Sequence, residues 1–358
     1  MVDNGSIIYT SNIDIVHIIN HTKNFFKDEF LENEKEKIFL RNIKKKKFEY
    51  INYLSISKFR GKTKITISFS YSRFFKKDNF YICDSDKKIK EVHTHIIQLL
   101  QILAGKVIHK KDLKLIALDI CYQLQTNFID KYNSLMILSR ILSNEQKTFY
   151  FSETKDKRKL LQGFSIFDDK KAKKERKTFF KIYNKASERL ETKKFEEGQT
   201  NTIRAELSLK EMQLKILNIS SIDAVNRIEI ENIIKKILGD NIKKNLKKEI
   251  DENLQKLIEI VKDKNFSRKN IIEYEYLIFD IDFLKFIFSE KISGIKRSTG
   301  FYHKRLIIEE LENLEKTNEI VKKYSDNIKN LEKICDKLFK TKIKISATAE
   351  GVQVECLE

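Results

Sequence analysis

Hydrophobic and polar positions alternate most strictly in two neighbouring stretches, Tyr53 to Lys58 and Lys64 to Ser72 (KITISFSYS), with Arg60-Gly61-Lys62 between them. A period of two flanking a short glycine turn predicts a β-hairpin, with Ile65, Ile67, Phe69 and Tyr71 on one face and Thr66, Ser68 and Ser70 on the other. From Glu91 to Leu103 the period lengthens to that of a helix, and Val92, Ile96, Leu99, Leu100 and Leu103 fall on one stripe. Leu113 to Leu124 (LKLIALDICYQL) predicts a strand interrupted by one acid, Asp119, and Asp130 to Leu142 predicts a helix. Strands are expected again at Lys147–Ser152, Thr178–Asn184 and Thr202–Leu209, with a basic, Gly163-containing insertion after the first of them. Residues 7–50 read as mixed and partly helical, ending in the run Lys44-Lys45-Lys46-Lys47. Strands outnumber crossover helices in this series, so the expected class is α+β, a mostly antiparallel sheet with helices on one face. Beyond Lys210 the helical period dominates from Ile228 to Leu338, and 342–354 predicts a last strand pair. The pattern divides the chain into an N-terminal region 1–50, an α+β domain 51–217 and a mainly helical part 218–358.

Composition narrows the class. At 41% hydrophobic residues, with 25 Phe and 13 Tyr, the chain can build a core, which excludes wholesale disorder. The absence of Pro and Trp, beside abundant Lys, Ile, Asn, Phe and Tyr, reads as AT-rich coding and not as a structural device. No apolar run reaches the ~18 residues of a membrane helix. The richest stretch, Ile271 to Ser289, is broken by Glu273, Glu275, Asp280, Asp282 and Lys285. Met1 to Ile8 carries Asp3 and no basic segment, so no secretory signal is expected. Cys83, Cys121, Cys335 and Cys356 are too scattered for a zinc motif or a small disulfide framework, and a reducing cytoplasm is the simple expectation. The net charge of +19 is not explained by coding bias, because Glu could have balanced the lysines, and it favours a polyanionic partner.

Three groups of residues could carry chemistry. In the strand Thr178–Asn184, alternation places Phe179, Lys181 and Tyr183 on one face and Phe180 and Ile182 on the other, with Lys185 two residues past the tyrosine and Glu188 three further on. A tyrosine beside a fixed cation can act as a nucleophile, although its free pKa is about 10; an isolated Tyr-x-Lys is more often a tyrosine at the edge of a core. Asp119 and the Arg204/Glu206 pair lie inside apolar strands, where a bare charge costs several kcal/mol. Two arrangements satisfy them: buried ion pairs that hold strands together, or a divalent cation, Mg2+ or Mn2+, on the hard oxygens of Asp119 and Glu206. Finally, Glu153 to Lys194 holds 15 Lys and Arg against 7 Asp and Glu. Its candidate phosphate contacts are Lys155, Lys157, Arg158, Lys159, Lys170, Lys171, Lys173, Lys174, Arg176, Lys177 and Lys181, with Arg204 beyond. Phe164, Phe167, Phe179 and Phe180 interleave with them, which suits single strands as well as it suits a solvated loop. His93-Thr94-His95 falls on a helix, where i and i+2 do not face each other, and His17, His21, His109 and His303 read as isolated. No P-loop and no GxGxxG is present.

Four of these stretches, in this order, resemble the gene II-type rolling-circle replication initiators of filamentous phages and, more distantly, the Rep initiators of small rolling-circle plasmids. Leu115–Gln125 (LIALDICYQLQ) resembles the family strand with its single aspartate, and Thr148–Arg158 (TFYFSETKDKR) the strand and turn before the nucleophile. Phe180–Leu190 (FKIYNKASERL) resembles the Tyr-x-Lys-x-x-Glu core, and Thr202–Lys215 (TIRAELSLKEMQLK) the Arg-x-Glu strand. The match covers about residues 50–217, by motif order and not by identity.

The resemblance implies an HUH/Rep-like catalytic domain over 51–217, with Tyr183 as nucleophile, Lys185 as its partner and a divalent metal. It implies nicking and rejoining of single-stranded or origin DNA through a 5′-phosphotyrosyl intermediate, with a host helicase or other nucleoprotein as a further partner. In one respect the chain departs from the family. The histidine-containing metal motif expected after the hairpin reads Phe75-Lys76-Lys77-Asp78-Asn79-Phe80, with Asp78 near the place of the histidine. Either Asp78 serves as an oxygen ligand with Asp119 and Glu206, or the site is degenerate and the protein binds nucleic acid, or a host nucleoprotein, without cutting.

Overall fold

In a computed structural model the described residues are 1–26, 32–34, 37–41, 48–76, 82–126, 131, 134–135, 138, 142, 147–153, 159–167, 178–185, 202–239, 242, 245–246, 329–338, 340, 342–348 and 351–357. The chain forms two compact units: Met1–Tyr122, Asp168–Phe180 and Glu206–Ile233 make the first, and Gln123–Phe167, Lys181–Ala205 and Ile234–Glu358 the second.

The first unit is built on strands β1 (Val2–Ser11), β2 (Glu32–Glu34), β3 (Lys37–Arg41), β4 (Ile51–Phe59), β5 (Lys62–Ser70) and β6 (Leu113–Gln125), with part of β10 (Thr202–Lys210). Their order is β2-β3-β4-β5-β1-β6-β10. The pairs β2–β3, β3–β4, β4–β5, β5–β1 and β1–β6 are all antiparallel. Contacts of Asp119 with Ser208 and of Lys114 with Glu211 run the same way, so β10 is antiparallel to β6. The expected α+β class is found.

One face of this sheet is covered. Ile7 and Tyr9 of β1, Leu54 and Ile56 of β4, and Ile65, Ile67 and Phe69 of β5 are buried beneath α1 (Ile15–Phe25) and α3 (Asp86–Ala104). Helix α1 starts where the Asp14 carboxylate accepts the Val16 N–H at 2.9 Å. Helix α3 starts at Ser85, whose hydroxyl accepts the Lys88 N–H, and ends at Gly105. It begins five residues before the periodic stretch because Asp86, Lys87 and Lys88 form a polar first turn that adds little to the apolar stripe. Between them, α2 (Tyr71–Lys76) takes Tyr71 out of the expected strand, yet Tyr71 stays on the buried side and bonds His93 Nε2 at 2.8 Å. The other face carries Lys64, Thr66 and Ser68 of β5 and Asn4, Ser6 and Ile8 of β1, all half-buried. Residues Val2 to Ser11, whose second half falls in the stretch 7–50 read as mixed, form a central strand between β5 and β6.

The second unit holds β7 (Lys147–Glu153), β8 (Lys159–Phe167) and parts of β9 (Thr178–Asn184) and β10, in the order β10-β9-β8-β7. The expected Gly163-containing insertion is instead strand β8, antiparallel to β7 from Lys147↔Ile166 to Glu153↔Lys159. Helix 329–338 buries Leu331, Ile334, Cys335 and Leu338, and β11 (Lys342–Thr348) with β12 (Gly351–Leu357) makes the expected terminal pair. Helices α4 (Glu211–Ile216) and α5 (Arg227–Ile234) follow β10 in the first unit. Most of the helices expected at 130–142 and 228–338 lie outside the described residues. No described helix is long and apolar enough to cross a membrane.

Candidate functional site

In the second unit, Tyr183 lies near the end of β9 and is 8% exposed, while Lys185 follows the strand and is 1% exposed. The ammonium of Lys185 donates to the Tyr183 hydroxyl at 3.5 Å, the outer limit of a hydrogen bond. Lys181 is on the same side, as strand alternation requires, with Nζ 4.8 Å from the ring centroid of Tyr183. Burying an ammonium is costly unless oxygen or aromatic density receives it. Here two cations share one phenol, so negative charge that builds on its oxygen is compensated in place. Arg204 of β10 is fully buried in this unit.

The strand beside the tyrosine is shaped to admit it. A Cβ on Gly163 would stand 2.5 Å from Tyr183 Cβ and 2.6 Å from the Ile182 carbonyl oxygen. The β7–β8 register also slips between Tyr150 and Phe151, so Gly163 sits at a bulge. A glycine is required because β8 runs against the backbone of β9 at the tyrosine.

The first unit holds a second polar arrangement. Asp119 of β6 accepts from Asn4 Nδ2 at 3.1 Å on one oxygen and from Ser208 Oγ at 2.6 Å on the other. Asn4 Oδ1 in turn accepts from Asn52 Nδ2 at 3.4 Å, and Asn52 Oδ1 accepts from Arg73 Nη1 at 3.2 Å. The row runs from Arg73 of α2 to β4, β1, β6 and β10 on the face opposite the buried Ile65 and Ile67, and each member is half-buried. Asn52 reaches Asn4 because β4 bulges between Ile51 and Tyr53. Glu206 stands two residues from Ser208 on β10 and is buried at 6% exposure. A carboxylate offers about four lone-pair sites and Asp119 uses two here, so its chemistry still fits a hard cation. Among the described residues no group of three or more His, Cys, Asp or Glu is placed to hold a metal ion.

Tyr183, Lys185 and Lys181 are thus brought together, and Asp119 is held by neutral donors and not by the arginine that the ion-pair arrangement called for. Asp119 and Glu206 belong to the first unit, Tyr183, Lys185 and Arg204 to the second. Asp78, Glu188, Lys155, Lys157, Arg158, Lys170, Lys171, Lys173, Lys174, Arg176 and Lys177 lie outside the described residues, and of Lys159 only the backbone is described. His93 and His95 face different tyrosines, Tyr71 and Tyr50, as their spacing requires. His17 and His21 are not isolated: one helical turn apart on α1, their ring centroids are 4.5 Å apart, a pairing their four-residue spacing encoded. Sequence reasoning missed Asn4 and Ser208, which join Asp119 through sheet pairing, and Asn52 and Arg73, which extend the row through Asn4. No family model matches the chain, and a search of curated proteins finds no match.

Proposed function

We propose that this chain is a rolling-circle replication initiator with an HUH/Rep-like catalytic domain, which nicks and rejoins DNA through Tyr183. The observation that carries the reading is the buried Lys185 ammonium 3.5 Å from the Tyr183 hydroxyl, with Lys181 over the same ring. In the proposed step the Tyr183 oxygen attacks a backbone phosphorus, the bond from phosphorus to the 3′-oxygen breaks, and the phenolic proton ends on the released 3′-hydroxyl. Lys185 offsets the charge on the attacking oxygen, and reversal of the step rejoins the strand. Asp119 and Glu206, with Asp78, are the residues that would hold Mg2+ or Mn2+, which when bound supplies charge neutralisation on the phosphoryl oxygens. The +19 charge and its concentration in 153–194 support a DNA partner.

Incubation with labelled single-stranded oligonucleotides and Mn2+ tests this. The wild type is expected to form a covalent protein–DNA adduct that chelation of the metal prevents. Tyr183→Phe should lose the adduct and keep its binding. An adduct that persists in Tyr183→Phe rules out this nucleophile, and Tyr150 is then the next residue to replace.

A second reading, a Rep-like scaffold that binds nucleic acid or a host nucleoprotein without cutting it, is favoured by two observations. Tyr183 is only 8% exposed, and both oxygens of Asp119 are engaged by protein donors. Binding without any adduct, in wild type and variant alike, decides for this reading.

A further inference from the structure

From Tyr50 to Lys77 the chain contains seven Lys and Arg and no Asp or Glu. Four of these cations, Lys58, Arg60, Lys62 and Lys64, surround the end of the β4–β5 hairpin. The two-residue turn has Arg60 at φ 50° and Gly61 at φ 74°, the pair of left-handed residues of a type I′ turn, whose twist matches that of the strands. The tip is therefore a defined projection.

At that tip Phe59 is 50% exposed. The register pairs it with Lys62 and pairs Ser57 with Lys64. Phe59 therefore stands on the face of the sheet opposite the buried Ile65 and Ile67. Arg60 Cζ and Lys64 Nζ each lie 5.3 Å from the centroid of its ring. Half of the ring surface is thus left to solvent at the end of a strand. An exposed ring surrounded by cations, with no carboxylate in the hairpin, matches one kind of polymer: one with repeated anions and aromatic faces. A duplex presents its phosphates and groove edges but keeps its base faces stacked. A single strand presents both phosphates and faces.

We propose that the β4–β5 hairpin tip is a docking point for single-stranded nucleic acid. An unpaired base stacks on Phe59, and the flanking phosphates are neutralised by Arg60, Lys62 and Lys64. The same face leads along β5 from Lys62 to Ser70, about 27 Å at ~3.4 Å per residue, to the strand position paired with Asn4 and hence to the Asp119 row. The tip thus anchors a strand at a distance from that row. The inference rests on the proposed function for the identity of the polymer as DNA, and adds a binding point outside 153–194.

Fluorescence anisotropy with a labelled oligothymidylate of about 16 nucleotides, within the ~4–16-nucleotide range of such sites, and with a duplex of equal length, tests it on the full-length protein. Phe59→Ala is expected to weaken single-strand binding roughly tenfold and duplex binding far less. Phe59→Tyr should restore it and Phe59→Leu should not, which separates stacking from mere apolar bulk. Replacing Arg60, Lys62 and Lys64 together by Gln should lower the slope of log K against log salt by about 2, at ~0.7 for each phosphate that is no longer neutralised. Wild-type affinity in Phe59→Ala, or equal losses on duplex and single strand, overturns the inference and leaves the nicking reading intact. A wild type that binds no oligonucleotide overturns both. Since Phe59 and the cations are at an exposed tip, circular dichroism of each variant should match the wild type; a variant whose spectrum changes is replaced in the comparison by the Tyr/Leu pair at the same position.

Discussion

His93 is a buried imidazole in the first unit that shares a 2.8 Å hydrogen bond with the Tyr71 hydroxyl. Burial, with a smaller contribution from the charge of Lys110, lowers its pKa from 6.5 to about 3. The folded protein thus holds this ring neutral where the unfolded chain would protonate it. Between the two values the unfolded state binds the extra proton, so stability from the neutral ring is fully present above pH ~6.5 and is lost as pH falls toward about 3. From pH 7 to pH 4.5 the loss is about 2–3 kcal/mol, at 1.36 kcal/mol per pKa unit. Urea denaturation at both pH values should show that loss in the wild type, beyond the loss common to both proteins, and its absence in His93→Gln. Equal pH dependence in the two proteins would show that this histidine does not carry it.

At the scale of elements, the packing of β8 on β9 ties the tyrosine to its surroundings. An added methyl at Gly163 meets Tyr183 Cβ and Cα and the Ile182 carbonyl oxygen at 2.5–2.8 Å, atoms fixed by the backbone that no side-chain rotation moves. Gly163→Ala is therefore expected to cost about 1–3 kcal/mol, as overpacking does, and to reduce adduct formation by moving Tyr183. Gly61→Ala has no atom within 4 Å and suffers only its φ of +74°, which puts the cost near ~1 kcal/mol. Calorimetric or chemical melts of the two variants should rank them in that order, and the reverse order would remove close packing as the reason for the glycine. Glycine is also where sequence and structure part company. The β4–β5 hairpin was legible because alternation and a glycine turn coincide. Strand β8 was not, since Gly163 in a basic stretch reads as a loop when it is in fact the residue that lets two strands meet. Strand β1 was hidden for a related reason: Asn4 and Ser6 interrupt its apolar run on the side of the polar row, and Gly5 on the buried side makes room for the Phe69 and Tyr71 rings. The Tyr183–Lys185 pair was legible from a spacing of two residues, but Asn4 is 115 positions from Asp119 and Ser208 is 89 away, and only strand pairing brings them together.

For the whole molecule, the net charge of +19 is unevenly spread. The segment 153–194 carries +8 and the stretch 50–77 carries +7, while 1–49, despite its lysine run, is nearly neutral. Uniform charge serves solubility, whereas charge gathered in two segments of a chain serves a polyanion. If the segments neutralise phosphates directly, salt dependence should follow position and not total charge. Replacing Lys170, Lys171, Lys173 and Lys174 by Gln removes four charges from one of the two segments and is expected to lower the salt slope for a single strand by about 3. Replacing Lys243, Lys244, Lys247 and Lys248 removes the same four charges elsewhere, and the slope should change by less than about 1, because a charge that touches no phosphate releases no counterion. Both variants carry the same net charge, so general attraction cannot produce a difference between them. Titrations at several salt concentrations give the two slopes directly. Equal slopes would mean that the chain attracts nucleic acid as a diffuse cation, and that 153–194 holds no dedicated phosphate site.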